Sequence, residues 1–225
     1  MEILAIGRSL FDLFFPMRCL NCDSVISQEN PLCVFCATDL PFTHWNLDKN
    51  NLAYYKLKLL CKLNSAHSLL FFRHENVTQK LLHNLKYENH PEIGILLAEK
   101  TTQDLDLSHF DGIIPVPIHA KKRKKRGYNQ IVPYAKSLSE KFEIPLIEDF
   151  LVRIENNPSQ VFKNRESRLT SIQNAFSLTE KELEGHYILM DDVLTTGATL
   201  SICINLIHSK YPEMKLSVMT IACGV

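Results

Sequence analysis

The sequence predicts an α/β protein: a mainly parallel sheet flanked by helices, preceded by a small module built on four cysteines. Three observations carry this expectation. From about residue 67 onward, short apolar runs suited to buried strands alternate with segments of helical period. One of those runs, Tyr187–Met190, leads through two adjacent acids into a hydroxyl-rich turn and then a further helical segment. Two Cys-x-x-Cys pairs, Cys19-Leu20-Asn21-Cys22 and Cys33-Val34-Phe35-Cys36, lie ten residues apart near the N-terminus.

Composition sets the frame for reading these elements. With 45% hydrophobic and 22% charged residues, the 225-residue chain has the make-up of an ordinary globular protein able to bury a core. Its formal net charge is zero, so any case for nucleic acid or membrane must come from local clustering. No run of eighteen apolar residues suits a membrane span. The segment 3–15 is apolar on most of one helical face, is interrupted by Arg8 and Asp12, and is closed by Pro16. It reads as an amphipathic helix rather than a signal peptide. The cysteines then belong to a reducing compartment, and the protein is expected in the cytoplasm.

The paired cysteine spacing offers four thiolates, Cys19, Cys22, Cys33 and Cys36, to one tetrahedral ion. Four protein ligands leave no open position, so the expected Zn²⁺ is structural; a redox pair and a rubredoxin-type iron are the competing readings. A module of about 30 residues needs such a staple to fold. Cys61, Cys203 and Cys223 are single and in apolar surroundings, as buried thiols would be. The domain organisation is read as 1–45 for the helix and cysteine module, 46–66 as a connector, and 67–225 as the main domain. The stretch around the connector is turn-rich, with Pro41, Asn46 and Asn50-Asn51.

Within the main domain, Ser68–Phe72 reads as a strand. Val77–Tyr87, with Leu81, Leu82 and Leu85, has helical spacing, and Ile93–Lys100 reads as a second helix. Lys86 is either a cation facing a pocket or a surface lysine. Ile113-Ile114 is a short buried strand, and Pro115-Val116-Pro117 can continue neither a helix nor a central strand. A rigid loop therefore begins at that strand's carboxyl edge, where open α/β sheets bind ligands. Six basic residues follow, Lys121 to Arg126, and Gly127-Tyr128-Asn129-Gln130 leads into a helix. The run is a solvated face, a contact for nucleic-acid phosphates, or a counter-charge for pyrophosphate; position favours the last for Arg126. Leu146–Ile154 reads as a strand region ending in Arg153. The polar, basic segment 156–168, with Gln160, Arg165 and Arg168, is either a mobile loop that closes on a ligand or a plain surface loop. Tyr187–Met190 is the central strand, and Ser217–Ile221 the last one.

The chemistry concentrates where the central strand is expected to end. Asp191 and Asp192 come first, then Val193-Leu194, then Thr195-Thr196-Gly197-Ala198-Thr199, and a helix from Leu200. Unpaired N–H groups at a helix start, with the helix dipole, favour an anion. Gly197 permits close backbone approach, and the threonines add hydroxyl donors. Carboxylates cannot bind phosphate, but beside it they suit ribose hydroxyls or a phosphate-bound Mg²⁺. A ligand with a phosphate at one end and a diol at the other is a ribose 5-phosphate. Neither a P-loop nor a Gly-x-Gly-x-x-Gly fingerprint is present.

Asp191-Asp192-Val193-Leu194-Thr195-Thr196-Gly197-Ala198-Thr199 resembles the phosphoribosyl pyrophosphate (PRPP) binding motif of type I phosphoribosyltransferases. In that family the acidic pair holds the ribose hydroxyls and the loop wraps the 5-phosphate. Four further features resemble the ComF competence proteins within it. They are the four-cysteine module, Leu82–Tyr87, Ile114–His119, and Arg126–Gln130. Pro158-Ser159-Gln160 with Arg168 and Ala175-Phe176 extends the match, while Ser171 stands where the pattern has Asn. The resemblance implies a type I phosphoribosyltransferase-like fold behind a zinc finger, PRPP with Mg²⁺ as ligand, and a role in DNA uptake. Pro115, Val116, Pro117, Arg126 and Lys86 become candidates for the pyrophosphate. Three functions follow as expectations: a PRPP-dependent transferase, a PRPP or nucleotide sensor without turnover, and a single-stranded-DNA-binding module working with other competence proteins. No motif reads as the acceptor site or sets the oligomeric state.

Overall fold

The structure is a computed structural model that describes residues 16–26, 30–88, 90–154 and 175–225. The segment 3–15 and the loop carrying Gln160, Arg165, Arg168 and Ser171 lie outside the described residues.

A short helix α1 (Val34–Thr38) lies in the cysteine module, and α2 (Leu52–Leu57) follows in the stretch read as a connector. Then come β1 (Ala66–Phe72), α3 (Val77–Tyr87), α4 (Glu92–Asp104), β2 (Gly112–Pro115), α5 (Ala120–Arg126) and α6 (Val132–Phe142). The chain continues through β3 (Leu151–Arg153), β4 (Phe176–Leu178), β5 (His186–Leu194), α7 (Ala198–Lys210) and β6 (Lys215–Gly224). Four strands form one parallel sheet in the order β1-β6-β5-β2. Among the described residues no helix is long and apolar enough to cross a membrane.

The strands are apolar on both faces because both are covered, as parallel sheets require. Ile188, Met190, Met219 and Ile221 meet the helix side chains Leu81 and Leu85 of α3, Leu97 of α4 and Tyr134 of α6. Tyr187, Leu189, Leu216 and Val218 face the other way, onto Leu57 of α2 and Cys203, Ile204 and Ile207 of α7. Helix α3 has the bounds its periodicity predicts, capped by the Asn76 side chain on the Gln79 N–H at 3.0 Å.

Three elements differ from the sequence reading. The central strand continues through the acids to Leu194, since the ladder to β6 persists to Leu194 and Cys223. On its other side the pairing to β2 stops at Met190. The segment after Pro145 joins the sheet only by a bridge between Leu146 and Ile113. It bends at Glu148-Asp149, and β3 then pairs antiparallel with β4 in a separate ribbon. Finally, the basic run is itself helical, closed by Gly127 at φ +81°, the left-handed cap that glycine adopts at no steric cost.

The stretch before β1 is well tied to the sheet. Thr43 donates its N–H to the Leu69 carbonyl at 2.9 Å and Phe71 donates to Pro41 at 2.8 Å, with further bridges from Phe42 to Leu70 and Asp48 to Ala66. These bonds cover the outer edge of β1, which would otherwise present unpaired backbone groups.

Candidate functional site at the β5–β2 crevice

The crossovers decide where a crevice opens. After β2 the chain packs α6 on the face shared with α3 and α4, whereas after β5 it packs α7 on the opposite face. Neighbouring strands whose following helices go to opposite faces leave a gap at their carboxyl ends, the topological switch point of open α/β sheets. Asp191 and Asp192 lie one and two residues past the last β2–β5 pair, at that gap.

The two acids have different surroundings. The buried Asp192 carboxylate accepts from Lys86 Nζ at 2.8 Å, at the end of α3, and from Gln130 Nε2 at 3.0 Å, just before α6. Gln130 Oε1 in turn accepts from Arg126 at 2.6 Å, and the Arg126 guanidinium lies 4.8 Å from the centroid of the Tyr87 ring. A chain of polar contacts therefore runs Lys86–Asp192–Gln130–Arg126–Tyr87. Asp191 sits instead near Cys203 of α7, and its Oδ1 accepts the Asp192 N–H at 2.8 Å. Although its surface is partly open, protein surrounds it closely. Burial, followed by the charge of Asp192, raises its carboxyl well above the usual range.

Past Leu194 the chain turns outward. Thr195, Thr196 and Ala198 are exposed and Gly197 is buried at φ +83°. The Thr196 hydroxyl oxygen faces the Ala198 N–H at 3.4 Å, and Gly197 caps α7 without a side-chain bond. A Cβ on Gly197 would stand 2.9 Å from Leu57 and 3.2 Å from Leu60. Glycine is thus required twice over, for its left-handed backbone and for the close approach of α2.

On the β2 side, Val116 donates its N–H to the Met190 carbonyl at 2.8 Å, and Asn129 Nδ2 donates to Val116 at 3.0 Å. Pro115 and Pro117 border a cavity of about 520 Å³ with Arg123, Tyr128, Asn129 and Glu148. Arg126 and Lys86 therefore stand with the acids, while the two prolines face this neighbouring cavity. Lys121 to Lys125 are exposed along α5, and none makes an ion pair among the described residues.

The four N-terminal cysteines come together with their sulfurs all within 4.8 Å of one another, and Cys22 and Cys33 are 3.7 Å apart. A tetrahedron with ~2.3 Å metal–sulfur bonds has edges of about 3.8 Å, so the donor set fits Zn²⁺ held structurally. Two groups polarise the sulfurs. Asn21 Nδ2 donates to Cys36 at 3.2 Å, and the Ser24 hydroxyl, then its backbone N–H, pulls the Cys22 thiol down to about 6. Cys61, Cys203 and Cys223 are buried thiols, as expected.

Two contributors escaped the sequence reading. Gln130 was legible only within the Arg126–Gln130 stretch that leads into a helix, with no role of its own, and its bond to Asp192 spans 62 positions. Lys56, in the stretch read as a connector, donates to the carbonyls of Thr195 at 3.0 Å and Gly224 at 2.8 Å. No local pattern signals either contact.

No family model matches the chain. It is 29% identical over 206 residues to Competence protein F of Haemophilus influenzae, covering 84% of this chain and 89% of that protein. It is 31% identical to the DNA utilization protein YhgH of Escherichia coli O157:H7 across 54% of this chain and 56% of the relative. It is 32% identical to Competence protein ComFC of Bacillus subtilis across 48% and 43%. Among solved structures, orotate phosphoribosyltransferase from Aeropyrum pernix aligns over 69% of this chain and 80% of its own, with 13% identity and a TM-score of 0.36.

Proposed function

We propose that this chain is a ComF-type competence protein, a reading that its similarity to Competence protein F and ComFC supports, and that the β5–β2 crevice binds PRPP with Mg²⁺ and transfers its phosphoribosyl group. The observation that carries the reading is the placement of Asp191 and Asp192 at the switch point, directly before a glycine turn that opens α7. The setting is a type I phosphoribosyltransferase-like fold behind a structural zinc module, and the cellular role is in DNA uptake and use.

Each part of the ligand has a counterpart. Residues 195–199 offer backbone N–H groups and threonine hydroxyls to the 5-phosphate. Asp191 and Asp192 would accept from the ribose hydroxyls and help to hold Mg²⁺, which would offset the negative charge of the pyrophosphate. Arg126 and Lys86 are the cations that stand with the two acids. Lys86 is engaged with Asp192, so a diol hydroxyl on Asp192 competes with Lys86 and turns its ammonium toward the leaving group. In the transfer, the bond from ribose C1 to the pyrophosphate oxygen breaks with its electron pair going to pyrophosphate, and the acceptor nucleophile bonds to C1. Such chemistry draws on positioning and charge more than on a protein nucleophile.

Calorimetric titration with PRPP and Mg²⁺ tests the binding. Wild type is expected to bind, and Asp191→Asn with Asp192→Asn to lose at least tenfold in affinity, since each replaces a carboxyl oxygen acceptor with an amide donor. Undiminished binding by the double variant would refute the assignment. Release of pyrophosphate with a suitable acceptor separates a transferase from a sensor that binds without turnover.

A second reading has its own observation, the exposed row Lys121–Lys125 on α5, which makes no ion pair among the described residues. Clustered cations of this kind bind single-stranded DNA through its phosphates. Reversing the charges at Lys121, Lys122, Lys124 and Lys125 should then abolish DNA binding and flatten its salt dependence, and leave PRPP binding intact.

A further inference from the structure

We propose that Lys56 is a positioning residue for the phosphate loop, acting on its backbone from beneath; this rests on the reading of residues 195–199 as the phosphate site. Lys56 comes from α2, ahead of the main sheet, and reaches 139 positions along the chain to Thr195 and 168 to Gly224. Its acceptors are two main-chain carbonyls, 3.0 and 2.8 Å away, one just past the end of β5 and one at the end of β6. It makes no ion pair among the described residues, and it is half-buried.

The physical effect follows from peptide geometry. The peptide bonds described are all trans, so the C=O of Thr195 and the N–H of Thr196 lie in one plane and point in opposite directions. Holding that carbonyl on Lys56 turns the Thr196 N–H away from α2. The next residue, Gly197, is at φ +83°, and a Cβ there would meet Leu57 and Leu60, the neighbours of Lys56 in sequence. One short helix therefore fixes both the backbone plane and the floor of the turn.

Charge reinforces the geometry. Carbonyl oxygens at the carboxyl ends of parallel strands carry partial negative charge toward the place where an anion is to bind. An ammonium on two of them cancels that repulsion and adds favourable field at short range. Without it, the Thr195–Thr196 peptide is free to rotate and must be ordered by the ligand, at a cost in affinity.

The test compares three probes by calorimetry on the full chain: PRPP with Mg²⁺, ribose 5-phosphate, and inorganic pyrophosphate with Mg²⁺. Lys56→Met is expected to weaken ribose 5-phosphate and PRPP about tenfold or more, as loss of a charge-assisted pair of bonds should. Pyrophosphate, which does not use the 195–199 loop, should keep its affinity, and Lys56→Arg should recover most of the loss. Equal weakening of all three probes would assign Lys56 to general stability and overturn the inference. Wild-type affinities in Lys56→Met would overturn it too, with the phosphate-site reading left standing. Failure of wild type to bind ribose 5-phosphate or PRPP would end both. Should Lys56→Met fold poorly, Lys56→Gln keeps a donor at the position, and the same split between probes is required of it.

Discussion

At the scale of single residues, two buried titratable groups carry opposite pH signatures. Asp191 has its pKa raised by burial and by Asp192, so the folded state holds a proton that the unfolded chain has released. Its contribution is present below the usual carboxylate range and is lost as pH rises through the folded value. Asp191→Asn should therefore raise the thermal midpoint at neutral pH while removing ligand affinity, and a scanning-calorimetry series against pH reads the change. His67, on β1, is buried, its Nδ1 has no partner among the described residues, and burial pushes its pKa from 6.5 down to about 4. Here the unfolded chain binds the extra proton, so stability is present above pH 6.5 and is lost as pH falls toward 4, by up to about 3 kcal/mol. Urea titrations of His67→Leu should show that slope flattened between those values. No motif marks His67, and the motif that marks Asp191 shows only an acid beside another acid; its proton affinity comes from what packs around it.

At the scale of elements, glycines report how closely the pieces approach. Gly94 of α4 lies against α6, where a Cβ would stand 2.9 Å from the Tyr134 nitrogen and 3.0 Å from Pro133. Because the obstacle includes backbone, Gly94→Ala should cost about 1–3 kcal/mol in denaturant unfolding despite the better helix propensity of alanine. Gly197→Ala should cost a similar ~1–3 kcal/mol, part strain at φ +83° and part contact with Leu57. In the pair Leu57→Ala with Gly197→Ala the contact part should disappear and the strain remain, a non-additivity that a double-mutant cycle measures. Helix α3 was legible because apolar period and the Asn76 cap agree. Strand β5 was misjudged at its end for an equally plain reason. Acids signal the end of burial, but strand character depends on the ladder, and β6 runs on beside β5 after β2 has stopped.

At the scale of the whole molecule, the cysteine module and the sheet share one core. Cys19, Ile26, Leu32, Cys36 and Leu40 belong to the same apolar cluster as Leu81, Leu85, Leu97 and Tyr134. Polar ties join them as well, with Lys80 of α3 donating to the Asn21 carbonyl at 2.9 Å. Removing the metal should therefore lower the thermal stability of the molecule in one transition. Cys36→Ser, or chelation of wild type, should release one zinc per chain and shift the midpoint down by several degrees, read by a metallochromic dye beside calorimetry. A separate early transition with an unmoved main one would show that the shared core does not couple them.

The sequence by itself determined most main-domain elements and their order, and the four-cysteine set, though not the helices at Leu52–Leu57 and Ala120–Arg126. Each is written within four to eighteen consecutive residues, the range over which hydrophobic period, capping and ligand spacing act. Only the tertiary structure decided which strands are neighbours and which face each crossover helix covers. It thereby opened the crevice at Asp191 and Asp192 and brought Gln130 and Lys56 to it across 62 and 139 positions. Strand order is set by burial summed over the whole chain, where α6 and α7 each choose the face that hides the most apolar surface. No local pattern contains that sum.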